Sequence, residues 1–239
     1  MSQPTAFIVG GTSGVGLATA RQLQSTGITV HIAGRSKDRL NDVAATDPAL
    51  TGHQLDATDH AAVSAAAQTI GTIDYLIITL SGSEGLGPIA DLDLVMLRRA
   101  FEAKFWGHIT TIQAVLPCVA ASGSITLVGA ISARSGMPGT AGIAAINGAV
   151  EALVKPLATE LAPIRVNGVS PGFIDTPWWS DMPAATRREV FTHAANVLPT
   201  ARIATAEDVA HVVVLAATNH NTTGTVIETD GGARLVSMG

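Results

Sequence analysis

Three glycines and an arginine near the start of the chain carry the first chemical signal. Gly10, Gly14 and Gly16 lie in "FIVGGTSGVGLATARQL", spaced G-x-x-x-G-x-G between an apolar run and a helical pattern. Glycine lets a backbone turn tightly and approach a pyrophosphate, and a helix start offers unpaired N–H donors and a favourable dipole. The turn residues Gly10, Thr12, Ser13, Gly14, Val15 and Gly16 are therefore expected to cradle a nucleotide. A second apolar run ends in "IAGRSKDRL". A site for NAD places an acid there for the ribose 2′-hydroxyl. Here Gly34 holds that place, followed by Arg35 and Ser36. A guanidinium suits a 2′-phosphate, so NADP(H) is the expected cofactor.

These residues need a frame, and the rest of the chain reads as one. Apolar strands are expected at 6–10, 29–34, 52–56, 74–79, 124–129, 164–170 and 224–230. Helical patterns fall near 14–26, 36–46, 59–70, 91–121, 140–161 and 206–217. The strands are apolar on both faces, which implies a parallel sheet covered by helices on both sides. The expected fold is α/β, a single-domain doubly wound sheet of Rossmann type over 1–239. The least regular segment, 173–205, contains Trp178 and Trp179 and is expected to be a lid or specificity loop.

Composition narrows the function classes. The chain has 239 residues, 47% of them hydrophobic and 14% charged, with a formal net charge of −5. No run of Lys or Arg supplies a nucleic-acid footprint. Cys118 is the only cysteine and the seven histidines are scattered, so no metal site is expected. No stretch reads as a signal peptide or a membrane span. A cytoplasmic protein acting on a small molecule, with neither nucleic acid nor membrane as partner, is the expectation.

The motifs taken together resemble the short-chain dehydrogenase/reductase family over essentially the whole chain. "GGTSGVG" (10–16) looks like the family's T-G-x-x-x-G-x-G, with Val9 in place of the threonine. "LDATD" (55–59) looks like its D-x-x-D segment, which would set Asp56 and Ala57 beside the adenine. "APIRVNGVSPGFIDTP" (162–177) is close to R-V-N-x-[VI]-x-P-G-x-[IV]-x-T. The resemblance implies that Pro171 and Gly172 line the nicotinamide, while Ile174 and Thr176 approach its carboxamide or the pyrophosphate. Ser81 and Gly82, in "TLSG", stand for the family's N-N-A-G as a small wall beside the adenosine. It also implies a homodimer or homotetramer, joined through the helices at 91–121 and 140–161.

The departures from the family pattern fall on the acid–base residues. Alignment through "GAVEAL" puts Ile143 where the family has its Tyr and Asn147 where it has its Lys. The serine position is Ala130 without a gap, or Ser132 with a shortened loop, and the family's Asn position is Lys104. Lys and Asn thus stand exchanged between two helices. Lys104, Asn147, Ser132 and Asp175 are the candidate catalytic residues; Ile143, Arg134, Trp178 and Trp179 are the candidate substrate contacts. Asp175 and Trp178, three apart, would hold a cationic or aromatic substrate. Three functions are compatible with this. One is an NADP(H)-dependent oxidoreductase reducing a C=O, C=N or activated C=C bond by a non-standard proton transfer. The second is an inactive NADP(H)-binding sensor or interaction protein. The third is a scaffold or a non-redox enzyme.

Overall fold

The protein is described by a computed structural model covering residues 3–82 and 84–236. Seven strands form one sheet: β1 (Thr5–Val9), β2 (Thr29–Gly34), β3 (Leu50–Gln54), β4 (Ile73–Ile78), β5 (Val119–Val128), β6 (Arg165–Pro171) and β7 (Val226–Thr229). Their order is β3-β2-β1-β4-β5-β6-β7 and every pairing is parallel. The chain runs outward from β1 to β3, then returns to the other side of β1 at β4. That reversal opens a crevice at the carboxyl ends of β1 and β4, where ligands of such sheets bind.

The central strands are buried on both faces, while β3 at one edge is largely exposed. Phe7, Val9, Leu76, Ile78, Ile125 and Leu127 point to one face, covered by α3 (His60–Ile70), α5 (Gly107–Val115) and α6 (Ala141–Ala152). Ile8, Ile32, Ile77, Val128 and Val169 point to the other, covered by α1 (Gly14–Ser25) and α9 (Ala206–Thr218). Each such side chain, fully buried, contributes about 1.5–3 kcal/mol. α2 (Lys37–Thr46) lies between β2 and β3 in the chain and packs on β3.

Three elements differ from the sequence expectation. The helix expected over 91–121 is three pieces: α4 (Leu94–Phe101), a π-helical turn (Glu102–Trp106) and α5. Its last residues belong to β5 instead, because Pro117 stops the helix and the strand starts at Val119. The helix at 140–161 breaks at Leu153 into α6 and α7 (Val154–Glu160). Pro156 has no N–H for the Ala152 carbonyl and its ring crowds that turn. Within 173–205 the chain forms a regular helix, α8 (Ala184–Val197). The composite Ala141–Glu160 is 20 residues long with mean hydropathy 1.2, so by length and composition it reaches the range of a membrane span. It nevertheless packs on β5 and β6 and carries Glu151, Lys155 and Glu160, as a helix covering a sheet does.

β6 is tied to the end of α9 by two polar side chains. Arg165 Nη1 donates to the carbonyls of Ala216 (3.2 Å) and Thr222 (3.1 Å), and Nη2 to that of Ala217. Asn167 Nδ2 donates to Ala216 and Thr222 as well. The last carbonyls of a helix have no partner inside it, and here the sheet supplies one.

Candidate functional site

The glycine-rich turn has the backbone that its sequence demands. Gly10 has φ +94° and Gly14 φ +50°. A Cβ on Gly16 would lie 2.3 Å from the Gly10 carbonyl oxygen, so α1 and the turn meet backbone to backbone. Ser13 is the N-cap of α1, yet its side chain makes no capping bond and the first turn has no acid. The N–H groups there remain open to an anion. Val15 packs into the core behind the turn. Thr79, which the sequence reading passed over, fastens the crevice: its hydroxyl donates to the carbonyls of Gly10 (3.1 Å) and Val9 (3.3 Å). Only its place at the end of β4 could have flagged it.

At the end of β2, a Cβ on Gly34 would fall 2.7 Å from Thr12 Cγ2. Thr12 thus fills the space from which an acidic side chain would reach a ribose. Arg35 follows, exposed and in no ion pair among the described residues. Ser36 caps α2, accepting from Arg39 N at 3.2 Å, so its oxygen is partly engaged. Asp56 accepts from Thr58 N (2.9 Å) and Thr58 Oγ1 (2.8 Å). These bonds, with the nearby Arg35 charge, hold its carboxyl below its ordinary range. Ala57 is buried beside it. A glycine-rich cradle whose helix start holds no acid, next to an exposed guanidinium, fits a dinucleotide carrying a 2′-phosphate.

The opposite wall comes from β6 and the segment after it. A Cβ on Gly172 would lie 2.7 Å from the Asp230 backbone, so Pro171 and Gly172 are pressed against the end of β7. Ile174 pairs with Ala204 in an isolated bridge, and Thr176 side-chain atoms approach the place of a Gly14 Cβ at 3.4 Å. Trp178 Nε1 donates to the Gly82 carbonyl at 3.0 Å, next to Ser81. The segment after β6 thereby reaches across to the loop after β4. Trp179 donates to the Ile174 carbonyl at 2.9 Å and packs in a cluster with Phe173, Trp178 and Phe191.

Between these walls lie the polar residues of the middle. Lys104 sits in the π-helical turn, buried, with Nζ donating to the Gly129 carbonyl at 3.4 Å. Such turns often occur at functional sites. Burial lowers its ammonium to about 8, and the negative charge of Glu151 partly opposes that shift. Asn147 Nδ2 donates to Ser132 Oγ and to the Ile143 carbonyl, both at 2.9 Å. Asn147 and Ser132 are buried, and Asn147 Oδ1 has no partner among the described residues. Ser132 accepts from Asn147, which leaves its O–H free to donate. His108 is wholly buried and donates Nδ1–H to the Lys104 carbonyl at 2.7 Å; desolvation, then the Lys104 charge, push it down to about 3, so it is neutral.

Two expected contacts stand elsewhere. Arg134 does not offer a free guanidinium to a ligand: Nε donates to Glu151 at 2.9 Å and Nη1 to Glu228. Asp175 is paired with Arg187 of α8, so its charge is already answered by a cation of the same segment. Its carboxylate and Trp178 are each engaged, and they do not form a joint cradle for a cation. Glu151, one helical turn beyond Asn147, was missed. Its spacing of four from Asn147 put it on the same face and was the available signal.

The sequence profile of a family described as Enoyl-(Acyl carrier protein) reductase matches residues 9–234. Trans-4-hydroxycyclohexanecarboxylate dehydrogenase of Sinomonas cyclohexanicum is 31% identical, over 97% of this chain and 93% of its own. The 3-oxoacyl-[acyl-carrier-protein] reductase of Thermotoga maritima is also 31% identical, over 95% and 96%. A crystal structure of a small-chain dehydrogenase in complex with NADPH is 36% identical, with TM-score 0.87, covering 98% of this chain and 100% of that one.

Proposed function

The chain belongs to the short-chain dehydrogenase/reductase family, and from that premise we propose that it is an NADP(H)-dependent oxidoreductase whose proton comes from Lys104. The substrate is an apolar small molecule with a C=O, C=N or activated C=C bond. NADPH, when bound, supplies the hydride. The Gly10–Gly16 turn with Thr12, Ser13 and Val15 would hold its diphosphate, Arg35 and Ser36 its 2′-phosphate, Asp56, Ala57, Ser81 and Gly82 its adenosine. Pro171, Gly172, Ile174 and Thr176 would line the nicotinamide. The NADPH complex of the 36%-identical relative supports this choice of cofactor.

The observation that carries the chemistry is the buried Lys104 on the Gly129 carbonyl, three residues before the Ser132 that Asn147 holds. A general acid works best with a pKa near the working pH. At about 8, Lys104 is mostly protonated at neutral pH and releases its proton far more readily than an exposed lysine. Asn147 holds Ser132 by its oxygen, so the Ser132 hydroxyl is directed toward a substrate oxygen or nitrogen. Ile143 gives an aliphatic wall where the family has its Tyr. Trp178 and Trp179 roof the pocket within the 173–205 lid and exclude water. Asp175 acts through Arg187, steadying that lid.

NADPH consumption over a panel of ketones, imines and enones tests the reading. At least one substrate should turn over, and Lys104→Met should lower kcat by about 100-fold or more while NADPH binding persists. Tight NADPH binding with no turnover on any of them overturns it, and leaves an NADP(H)-binding sensor.

A further inference from the structure

Gly129, at the end of β5, is held between two charged side chains. On one side Lys104 Nζ donates to its carbonyl at 3.4 Å. On the other, a Cβ added to it would meet Glu151 Cγ and Oε1 at 3.1 Å. Glu151 is the only charged residue of α6 and its side chain is 9% exposed. Its two oxygens differ. Oε2 accepts from Arg134 Nε at 2.9 Å; Oε1 is buried with no partner among the described residues. Arg134 is itself anchored to Glu228, which Arg234 also holds at 2.7 Å. A carboxylate clamped through one oxygen cannot rotate away, and its second oxygen keeps facing the glycine that Lys104 grips.

The other titratable groups around Lys104 do not compete. His108, on α5, is neutral. Glu102, on the π-helical turn, is exposed to solvent. Asn147 and Ser132 carry no charge. Glu151 is thus the counter-charge of the compartment.

We propose that Glu151 is the positioning residue of the reaction: clamped by Arg134, it keeps Lys104 protonated and aimed into the site. This rests on the reading of Lys104 as the proton donor. Removing the carboxylate leaves an ammonium in a dry compartment with a carbonyl for a partner, and an ammonium so placed gives up its proton more easily.

The experiment uses two readouts on the full chain, and one of them is independent of activity. The first is thermal melting of the nucleotide-free protein from neutral to alkaline pH. Lys104 has a folded value of about 8 against an ordinary 10.5, so the unfolded chain binds more protons between them. Stability from this group therefore rises with pH across that window. Measured against Lys104→Met, which lacks the rise, its onset should move down by about one pH unit in Glu151→Gln, tenfold in proton affinity. Arg134→Gln, which unclamps the carboxylate and lets it turn away from Gly129, should move it down as well but by less, and Glu151→Asp should keep it near the wild type. The second readout is the alkaline limb of kcat/KM, which should move in the same directions.

An onset and a limb that ignore Glu151→Gln and Arg134→Gln overturn the inference, whatever happens to the rate. If Glu151→Gln does not fold, the Arg134→Gln shift alone decides. The two readings fail separately. A Glu151-dependent melting onset without turnover on any substrate sinks the reductase and keeps the electrostatic pairing. Turnover with a Lys104-dependent limb that is indifferent to Glu151 sinks the pairing alone.

Discussion

Thr12 occupies the space where a side chain at position 34 would have to sit, 2.7 Å from its Cβ. That packing, with the unpaired Arg35 beside it, argues for a phosphate on the ribose rather than a bare hydroxyl. A hydrogen bond to a charged group contributes about 1.5–3 kcal/mol, so Arg35→Ala should weaken NADPH binding by roughly 10- to 100-fold. NADH affinity should stay the same; a titration of nucleotide fluorescence separates the two, and an equal loss for both would remove the role assigned to Arg35. The grouping of the candidate residues was legible in the sequence: Lys104 bonds to Gly129 at the end of β5, and Asn147 of α6 bonds to Ser132 and to the Ile143 carbonyl. Their engagements were not. That Arg134 and Asp175 are each neutralised by a neighbour depends on rotamers and on residues 17 and 12 positions away in sequence, which no local spacing encodes.

Single elements show where periodicity suffices and where it stops. Six of the seven expected strands both begin and end within about two residues of their place, the usual scatter of boundary assignment; in β1 and β4 burial on both faces writes an apolar run, whereas β3 is largely exposed. β5 is the exception at its start, since "VAASG" has no strong preference and is drawn into the sheet by its pairing with β4. α8 was unreadable for another reason: of its fourteen residues only Ala194 is buried, so the pattern has almost no apolar stripe. β6 offers a stability test at this scale. Arg165 and Asn167 are the partners of the last α9 carbonyls. Arg165→Met should cost about 2–4 kcal/mol, because it orphans buried acceptors while the rest of the sheet is unchanged. Urea unfolding measures it; a loss below about 1 kcal/mol would mean that Asn167 alone suffices.

At the scale of the molecule, the strand order places every candidate residue at one end of the sheet. The connections leaving β1 and β4 run to opposite sides there, β5 and β6 bring up the Ser132 and Gly172 walls, and the segment after β6 spans the gap through Trp178 and Gly82. We expect that span to set access. Trp178→Phe keeps the ring but loses the bond to Gly82, so it should raise KM about threefold to tenfold with little change in kcat, a loss near one neutral hydrogen bond. An unchanged KM would make the contact incidental.

The neighbouring placement of Lys104 and Asn147 also constrains how the sequence can change. A second lysine at 147, introduced alone, sets two ammonium groups into one dry compartment. An asparagine at 104, introduced alone, strips that compartment of its cation while Glu151 remains. Each single step should therefore cost more activity than the joint change. Lineages descending from this chain inherit the arrangement as a historical commitment, and their sequences should vary at 104 and 147 together or not at all.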